Sequence, residues 1–366
     1  MTGAETMRMM RHLAHARYDP SGRYVILVAS STIPAVDVPR GLSDLSVWDI
    51  QATRRICFLK DISYITGISF GPRDGQFMAA HGDGSITLRD IQSGKVLHTL
   101  RGDEGRPAAL LSIAHQTGSK WIVAGSLDGA LSVWDVAERK LQGALQGEEG
   151  YWSRVGMNLD GSLVYQINSG NARLWDPGSL KEISSFKASE GEGPIEFDHK
   201  CSRLAVAGSN GSIRLLEPGN AKVTLHLEGP GSKIVSLRFS AIGEIIASGA
   251  MDGEVRLWST KTGRCLRTLR AHKGPVTGLT FSADGTILVT HGFKEKTIRV
   301  WNSGSGAETR DIDSNAQSST VDISPDSKFI VVVTSDLKAD HIELSTGHKL
   351  ATLEHEDPVK QFLNGE

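Results

Sequence analysis

The 366-residue sequence is poor in cysteine and has no long apolar run. Its three cysteines are odd in number and form no CxxC pair, which argues against a disulfide framework and a cysteine-based zinc site. No apolar stretch reaches the roughly 18 residues that a membrane span needs. Residues 1–16 are polar and lack the apolar run of a signal peptide. We therefore expect a soluble, cytoplasmic protein.

Motifs that carry catalytic or cofactor chemistry are also missing. The sequence contains no GxSxG, HExxH, GxxxxGKS/T or GxGxxG pattern, and no histidine cluster has the spacing of metal ligands. Its 40 Lys and Arg nearly balance its 42 Asp and Glu, so neither nucleic acid nor a membrane is implied as a partner. The sequence predicts no catalytic residue, no cofactor and no metal, and the chain is not expected to be an enzyme.

What the sequence does contain is one short pattern repeated eight times. Each copy is a run of alternating apolar residues that ends near a tryptophan or its replacement. These Trp-equivalent positions are Trp48, Arg89, Trp134, Trp175, Leu216, Trp258, Trp301 and, roughly, Leu344. They lie 41 to 45 residues apart. A constant period of this length, with four short strands in each period, is typical of β-propeller blades.

Residues 233–270 show the repeating unit most clearly. Four apolar runs predict four strands, at residues 234–239, 244–250, 255–258 and 265–270. Asp252-Gly253 predicts the hairpin between the second and third strands, because glycine accepts positive φ without steric cost. One such meander has two apolar faces, and stacking the units in a ring buries both. The sequence therefore predicts an all-β fold, a single closed propeller.

These features resemble the WD-repeat β-propeller family, which is named for the Trp-Asp pair that ends the third strand. The pair is kept at Trp48-Asp49, Trp134-Asp135 and Trp175-Asp176, and the resemblance runs from about residue 10 to residue 356. It implies a structural tetrad in each blade, made of His, Ser or Thr, Asp and Trp. Such a network locks a blade by pairing its buried polar groups.

Only parts of this tetrad can be found in the sequence. The clearest remnants are Ser248, Asp252 and Trp258 in blade six, and His272, Thr290 and Trp301 in blade seven. Pro230 stands where blade six should have its histidine, and the blade-seven turn at residues 293–295 has no Asp. We therefore expect no blade to have all four groups.

We expect residues 1–366 to form one propeller domain. Dividing 366 residues by eight repeats gives about 46 per repeat, which leaves no room for a second domain. The blades are expected at about residues 10–60, 61–101, 102–147, 148–188, 189–229, 230–271, 272–313 and 314–356. Eight blades are favoured, and seven blades with overlapping strands at the seam are the alternative. The strand that closes the ring is left open.

The resemblance also implies where a partner would bind. In WD-repeat propellers, the turns between second and third strands and the connections between blades share one face, the top. This places Met251 there, together with Thr66, Tyr151, Trp152 and Thr277 at the openings of first strands. Aromatic residues are favoured interface anchors. The alternative for Trp152 is that it packs between blades.

Four arginines form a second candidate for partner binding. Arg173, Arg214, Arg256 and Arg299 each precede a Trp-equivalent position by two residues, in four consecutive blades. Alternation along a strand puts each on the same sheet face as the tryptophan. The hypothesis is a basic arc that receives an acidic partner segment. The alternative is that these arginines pair with carboxylates between blades.

Blade one carries an insertion, which is the third candidate. From Gly22 to Gly75 is 53 residues, against 43 from Gly75 to Gly118, and the excess is assigned to a loop at Ser30–Asp44. The residues expected to contact a partner are Ile33, Val36 and Val38, with Asp37 and Arg40 at the rim. The alternative is that the loop folds back over the propeller or pads a seam.

The sequence as a whole favours a non-catalytic scaffold that binds another protein or peptide on its top face. A rigid ring presents many loops at fixed separation, which suits recognition. One alternative is a propeller enzyme with a small-molecule site in the central channel. Another is a sensor module partnered with a separate effector chain.

Overall fold

A computed structural model describes most of the chain. The described residues are 11–31, 42–102, 109–116, 118–147, 154–168, 171–187, 193–220, 222–229, 231–293, 295–313, 321–334 and 338–354. Within these ranges, no helix has the length and hydropathy of a membrane span.

The described residues form eight antiparallel sheets, each made of four consecutive strands. Blade one contains β1 (Arg11–Tyr18), β2 (Tyr24–Ser31), β3 (Leu42–Asp49) and β4 (Arg54–Ser63), and blade two contains β5 (Ile65–Phe70), β6 (Gln76–His81), β7 (Ser85–Asp90) and β8 (Val96–Arg101). Blade three contains β9 (Leu110–His115), β10 (Trp121–Ser126), β11 (Ala130–Asp135) and β12 (Lys140–Gln146), and blade four contains β13 (Arg154–Met157), β14 (Val164–Asn168), β15 (Asn171–Asp176) and β16 (Lys181–Phe186). Blade five contains β17 (Ile195–Phe197), β18 (Leu204–Ala207), β19 (Ile213–Glu217) and β20 (Lys222–Leu227), and blade six contains β21 (Ile234–Phe239), β22 (Ile245–Ala250), β23 (Glu254–Ser259) and β24 (Cys265–Arg270). Blade seven contains β25 (Val276–Phe281), β26 (Ile287–Gly292), β27 (Thr297–Asn302) and β28 (Glu308–Asp313), and blade eight contains β29 (Val321–Ile323), β30 (Phe329–Val333), β31 (Lys338–Glu343) and β32 (Lys349–Glu354). The prediction of an eight-bladed β-propeller is confirmed, and the seven-bladed alternative is excluded.

One irregularity recurs in every blade. The pairing of the third strand with the fourth shifts by one residue directly before the Trp-equivalent position, as at Leu257 and Trp258. In blade eight the shift lies between His341 and Ile342, and Ile342 pairs with Ile330 on the second strand. The assignment of the eighth position to Leu344 was therefore wrong. Ile342 occupies it, because the strand begins earlier than the apolar pattern suggested.

Among the described residues, the hydrophobic core consists of eight clusters, each formed between two consecutive blades. The cluster that closes the ring packs blade eight, with Val331, Val333 and Leu353, against Val25 and Leu27 of blade one. Every blade takes its four strands from one continuous segment. The ring is therefore closed by side-chain packing between its first and last blades, not by a strand exchanged between them.

The insertion in blade one is shorter than the sequence suggested. β2 runs to Ser31, β3 begins at Leu42, and Ser30 pairs with Ser43. The excess also lengthens β4, to ten residues. The placement of a loop across the whole of Ser30–Asp44 was therefore wrong at both ends, because extending the ladder satisfies backbone groups that a loop would leave unpaired. The predicted contacts Ile33, Val36, Asp37, Val38 and Arg40 lie outside the described residues.

The ring places each strand type at a fixed radius. First strands contact the first strands of neighbouring blades, as β5 does β9 and β21 does β25, so they surround the central channel. Fourth strands are the most exposed, as in β24, where only Leu269 is buried. Turns between second and third strands lie on the same face as the connections between blades, which is the top face. Turns between first and second strands lie on the opposite face.

Candidate functional site

The top face is best defined where blade six meets blade seven. The turn from β22 to β23 ends at Gly253, whose φ is +88°, a conformation that favours glycine. A Cβ there would lie 1.9 Å from the His272 carbonyl oxygen. The sequence therefore needs glycine in this turn for two reasons, the backbone conformation and the close approach of the next connection.

Two turns hold the connection between blades six and seven. On the blade-six side, the His272 N–H donates to the Gly253 carbonyl oxygen at 3.0 Å. On the blade-seven side, the Phe293 N–H donates to the Pro275 carbonyl oxygen at 2.7 Å. Phe293 therefore contacts this connection directly, while Met251, the equivalent residue of blade six, bonds to the connection before blade six.

Four exposed residues form what we call the blade six–seven surface: Met251, Lys273, Thr277 and Phe293. Met251 is 49% exposed and Phe293 54%, and Lys273 and Thr277 are exposed as well. Two residues predicted for partner binding, Met251 and Thr277, are thus exposed in neighbouring blades. Phe293 was missed because its turn has no Asp, although it follows its second strand as Met251 does. Aromatic and methionine side chains are enriched at protein interfaces.

A polar network anchors this surface from below. The Trp301 Nε1–H donates to Thr290 Oγ1 at 3.0 Å, and Thr290 Oγ1 lies 2.9 Å from His272 Nε2. His272 Nδ1 lies 2.7 Å from Glu295 Oε2, and the Lys273 N–H donates to Glu295 Oε1 at 2.6 Å. The prediction that blade seven lacks its fourth group was wrong, because Glu295 supplies the carboxylate. A neutral His272 carrying its proton on Nδ1 satisfies every bond in this chain.

Electrostatics in this network favour that protonation state. Burial lowers the pKa of His272 and outweighs the opposing effect of the Glu295 carboxylate. Burial alone would raise the pKa of Glu295, but its hydrogen bonds from His272 and the Lys273 backbone hold it below its usual range. The network is therefore a neutral imidazole held by an ionised carboxylate.

Blade six retains less of the tetrad. The Trp258 Nε1–H donates to Ser248 Oγ at 2.9 Å, and both side chains are buried. Asp252 is exposed, and its carboxylate accepts from the Glu254 N–H at 3.1 Å within the turn. Asp252 therefore stabilises its own turn, apart from the Ser248–Trp258 pair.

The four arginines lie between blades, partly buried. Arg173 donates to the Gln146 carbonyl oxygen at 2.7 Å and Arg299 to that of Arg270 at 3.2 Å; both carbonyls end the fourth strand of the preceding blade. Nearby carboxylates also pair with them, as Glu254 does with Arg256 at 3.0 Å. Arg214 stacks over the Phe186 ring at 5.9 Å. Their role in partner binding stays a prediction. The alternative was pairing with carboxylates between blades, but these carboxylates belong to the same blade as their arginine, and the contacts between blades are to backbone carbonyls and the Phe186 ring.

The remaining predicted contacts do not extend the blade six–seven surface. Thr66, in blade two, is half-buried, and its hydroxyl donates to the Ala80 carbonyl oxygen at 3.2 Å. Tyr151 and Trp152 lie outside the described residues.

Comparison with known proteins identifies the repeats. The family model described as "WD domain, G-beta repeat" matches residues 94–135, 221–259 and 263–302. The p21-activated protein kinase-interacting protein 1-like of Danio rerio is 37% identical over 131 residues, covering 35% of this chain and 33% of that protein. The WD repeat-containing protein slp1 of Schizosaccharomyces pombe is 25% identical over 299 residues, covering 79% of this chain and 52% of that protein. The chain thus spans about a third of the first relative and about half of the second.

A solved structure shares the fold over nearly the full length. Sqt1 of Chaetomium thermophilum, solved bound to the N-terminus of a ribosomal protein, aligns with a TM-score of 0.70 at 18% identity. The alignment covers 88% of this chain and 94% of that one. At this identity the likeness supports the fold alone.

Proposed function

Because this chain is a β-propeller of the WD-repeat family, we propose that it is a non-catalytic scaffold that binds another protein or peptide on its top face. The observation that carries this proposal is the blade six–seven surface. Met251 and Phe293 expose apolar side chains at neighbouring turns, on backbone held by interblade hydrogen bonds and by the blade-seven network. Rigid apolar anchors bind at low entropic cost.

Two further observations support the proposal. WD-repeat relatives include a protein named for its interaction with a kinase, and the Sqt1 propeller was solved with a ribosomal protein segment. A cytoplasmic location is part of the same proposal, because the three cysteines are free thiols, as expected in a reducing compartment. Cell fractionation would test it.

The test compares three forms of the protein as bait in native lysate, with quantitative mass spectrometry of what they retain. The double variant Met251→Glu/Phe293→Glu places charge on the blade six–seven surface. The matched control is Ile242→Glu, since Ile242 is 61% exposed on the opposite face of blade six. We expect a stoichiometric partner with wild type and the control, and at least about tenfold less with the double variant. Full recovery by a folded double variant would reject this surface as the site.

A further inference from the structure

The central channel has one wall of charged residues and one wall of small ones. The pairing of first with second strands puts one residue of each blade at the same level. In blade order these residues are Arg17, Ser69, Ala114, Gly156, Glu196, Arg238, Thr280 and Asp322. Blades two to four therefore contribute only small side chains, while blades one, five, six and eight contribute charges.

The small wall leaves space in front of the charges. A cavity of about 560 Å³ lies against Ser69, Ala114 and Gly156, and Arg17, Arg154 and Arg238 also line it. That volume falls within the range of about 300–1,000 Å³ of small-molecule sites.

One carboxylate holds two of these arginines in place. Glu196 Oε1 accepts from Arg238 Nη1 at 2.9 Å, and Glu196 Oε2 accepts from Arg154 Nη2. The Glu196 side chain is 9% exposed, whereas those of Arg154 and Arg238 are 44% and 42% exposed. The Arg238 Nε–H also donates to the Leu279 carbonyl oxygen at 3.4 Å. Both guanidinium groups are thus oriented by their neighbours, with N–H donors left over for the channel.

Positive charge exceeds negative charge around the cavity. Arg17 is exposed, and among the described residues no carboxylate lies within 4.0 Å of it. Asp322, the nearest acid at the same level, is directed to blade one, where its Oδ2 accepts from the Tyr18 N–H at 3.0 Å. Burial raises the pKa of Asp322, while the charges of Arg17 and Arg238 oppose that rise. Three guanidinium groups therefore line the cavity with two carboxylates, Glu196 and Asp198, and each of these carboxylates is ion-paired with arginine.

We propose that this channel cavity binds the phosphate group of a small molecule, either free phosphate or a phosphate ester, through Arg17, Arg154 and Arg238. Phosphate presents several acceptor oxygens, and guanidinium donates to it in a bidentate, charge-assisted geometry. Glu196 acts as a positioning residue that holds the guanidinium groups of Arg154 and Arg238 in place. The site uses none of the four residues of the blade six–seven surface, so it stands or falls independently of the proposed scaffold role.

Isothermal titration calorimetry at low ionic strength tests the proposal with three probes: inorganic phosphate, a hexose phosphate and the unphosphorylated hexose. We expect saturable binding of a phosphate-bearing probe near one equivalent and none of the hexose. Tighter binding of the hexose phosphate would identify an ester as the ligand, and tighter binding of inorganic phosphate would identify the free ion.

Arg17→Gln is the decisive variant, since Arg17 is exposed and makes no ion pair within 4.0 Å with a described residue. It should weaken phosphate binding by at least about tenfold, or 1.4 kcal/mol, with the unfolding midpoint unchanged. Arg238→Gln should weaken phosphate binding by a similar factor, but it also removes an ion pair of the buried Glu196, so its unfolding midpoint should fall. The control is Arg267→Gln, an exposed outer-strand arginine that donates to the Ser305 carbonyl oxygen of the next blade at 2.8 Å, and it should bind as wild type does. Absence of saturable phosphate binding, or equal binding by Arg17→Gln and wild type, would overturn the proposal.

Discussion

At the scale of residues, polar networks survive with different members. Arg89 replaces tryptophan in blade two and is buried; its Nε–H donates to Thr87 Oγ1 at 3.0 Å and its Nη1–H to the Gly94 carbonyl oxygen at 2.9 Å. Thr87 in turn lies 2.8 Å from His81 Nε2. Glu295 likewise replaces Asp in blade seven. What such a position requires is a donor or acceptor within reach, and several residue types meet that requirement.

Glu295→Ala tests whether the blade-seven network stabilises the fold. The change leaves the His272 Nδ1–H and the Lys273 N–H without their acceptor, so the free energy of unfolding should fall by about 1–3 kcal/mol. Urea denaturation at pH 7 measures it. The control is Glu308→Ala, which removes an exposed carboxylate 4.0 Å from Arg299 and should change stability by less than about 0.5 kcal/mol. Equal losses in both variants would contradict the assignment of Glu295 to the network.

At the scale of elements, the backbone ladder decides where strands end. The sequence places strand centres well, because alternation and turn glycines are local signals. It places ends poorly, as β2 and β3 show, since Ser43 and Asp44 are polar yet fully buried within a strand. Ser43 Oγ accepts from the Ile65 N–H at 2.9 Å, a partner 22 residues away that no local pattern reveals.

Shortening the insertion tests whether blade one needs it. The pairing of β2 with β3 is complete on either side of residues 32–41, so an Asn-Gly turn in their place should leave the melting temperature within about 2 °C of wild type. A Gly-Ser segment of the original ten residues controls for loop length. Differential scanning calorimetry gives the answer. A large loss in both variants would mean that the native segment packs on the ring, which is the alternative stated for it.

At the scale of the whole molecule, the ring depends on the seam between blades eight and one. His341 lies there, with its ring centroid 6.2 Å from that of Tyr18 and 5.0 Å from that of Phe329. It is 4% exposed, and its Nε2 has no hydrogen-bond partner among the described residues. Burial lowers the pKa of His341 to about 4. The neutral imidazole is therefore the stable form of His341 in the closed ring.

The seam should weaken in acid for this reason. In the unfolded chain the His341 imidazole takes up a proton below about pH 6.5, whereas in the folded chain it stays neutral to about pH 4. The free energy of unfolding therefore falls as the pH drops between these two values. Denaturant titrations from pH 7 to 4.5 should show a shallower fall in His341→Leu than in wild type. Burial also lowers the pKa values of His81, His115 and His272, so these histidines contribute to the fall in wild type as well. The contribution of His341 is therefore measured as the difference in slope between wild type and His341→Leu. His348→Leu, in an exposed turn, is the control and should keep the wild-type slope. Identical slopes in wild type and His341→Leu would refute this account of the seam.

The sequence by itself determined the fold class and the resemblance to the WD-repeat family, and it favoured eight blades over seven. Those properties follow from period, alternation and turn residues, which are legible within about 45 residues of chain. It also identified Met251 and Thr277 as top-face residues, because each occupies a defined place within one repeat.

Only the tertiary structure decided which residues of different repeats meet. Glu196 joins Arg154 and Arg238 from positions 42 residues away on either side, and neither pairing has a sequence signal of its own. The position of Phe293 beside the connection between blades six and seven has no sequence signal either. Nor does the hydrogen bond between the Tyr18 N–H and Asp322, which are 304 residues apart. Closing the ring sets these distances, since each blade's position depends on the packing of all eight.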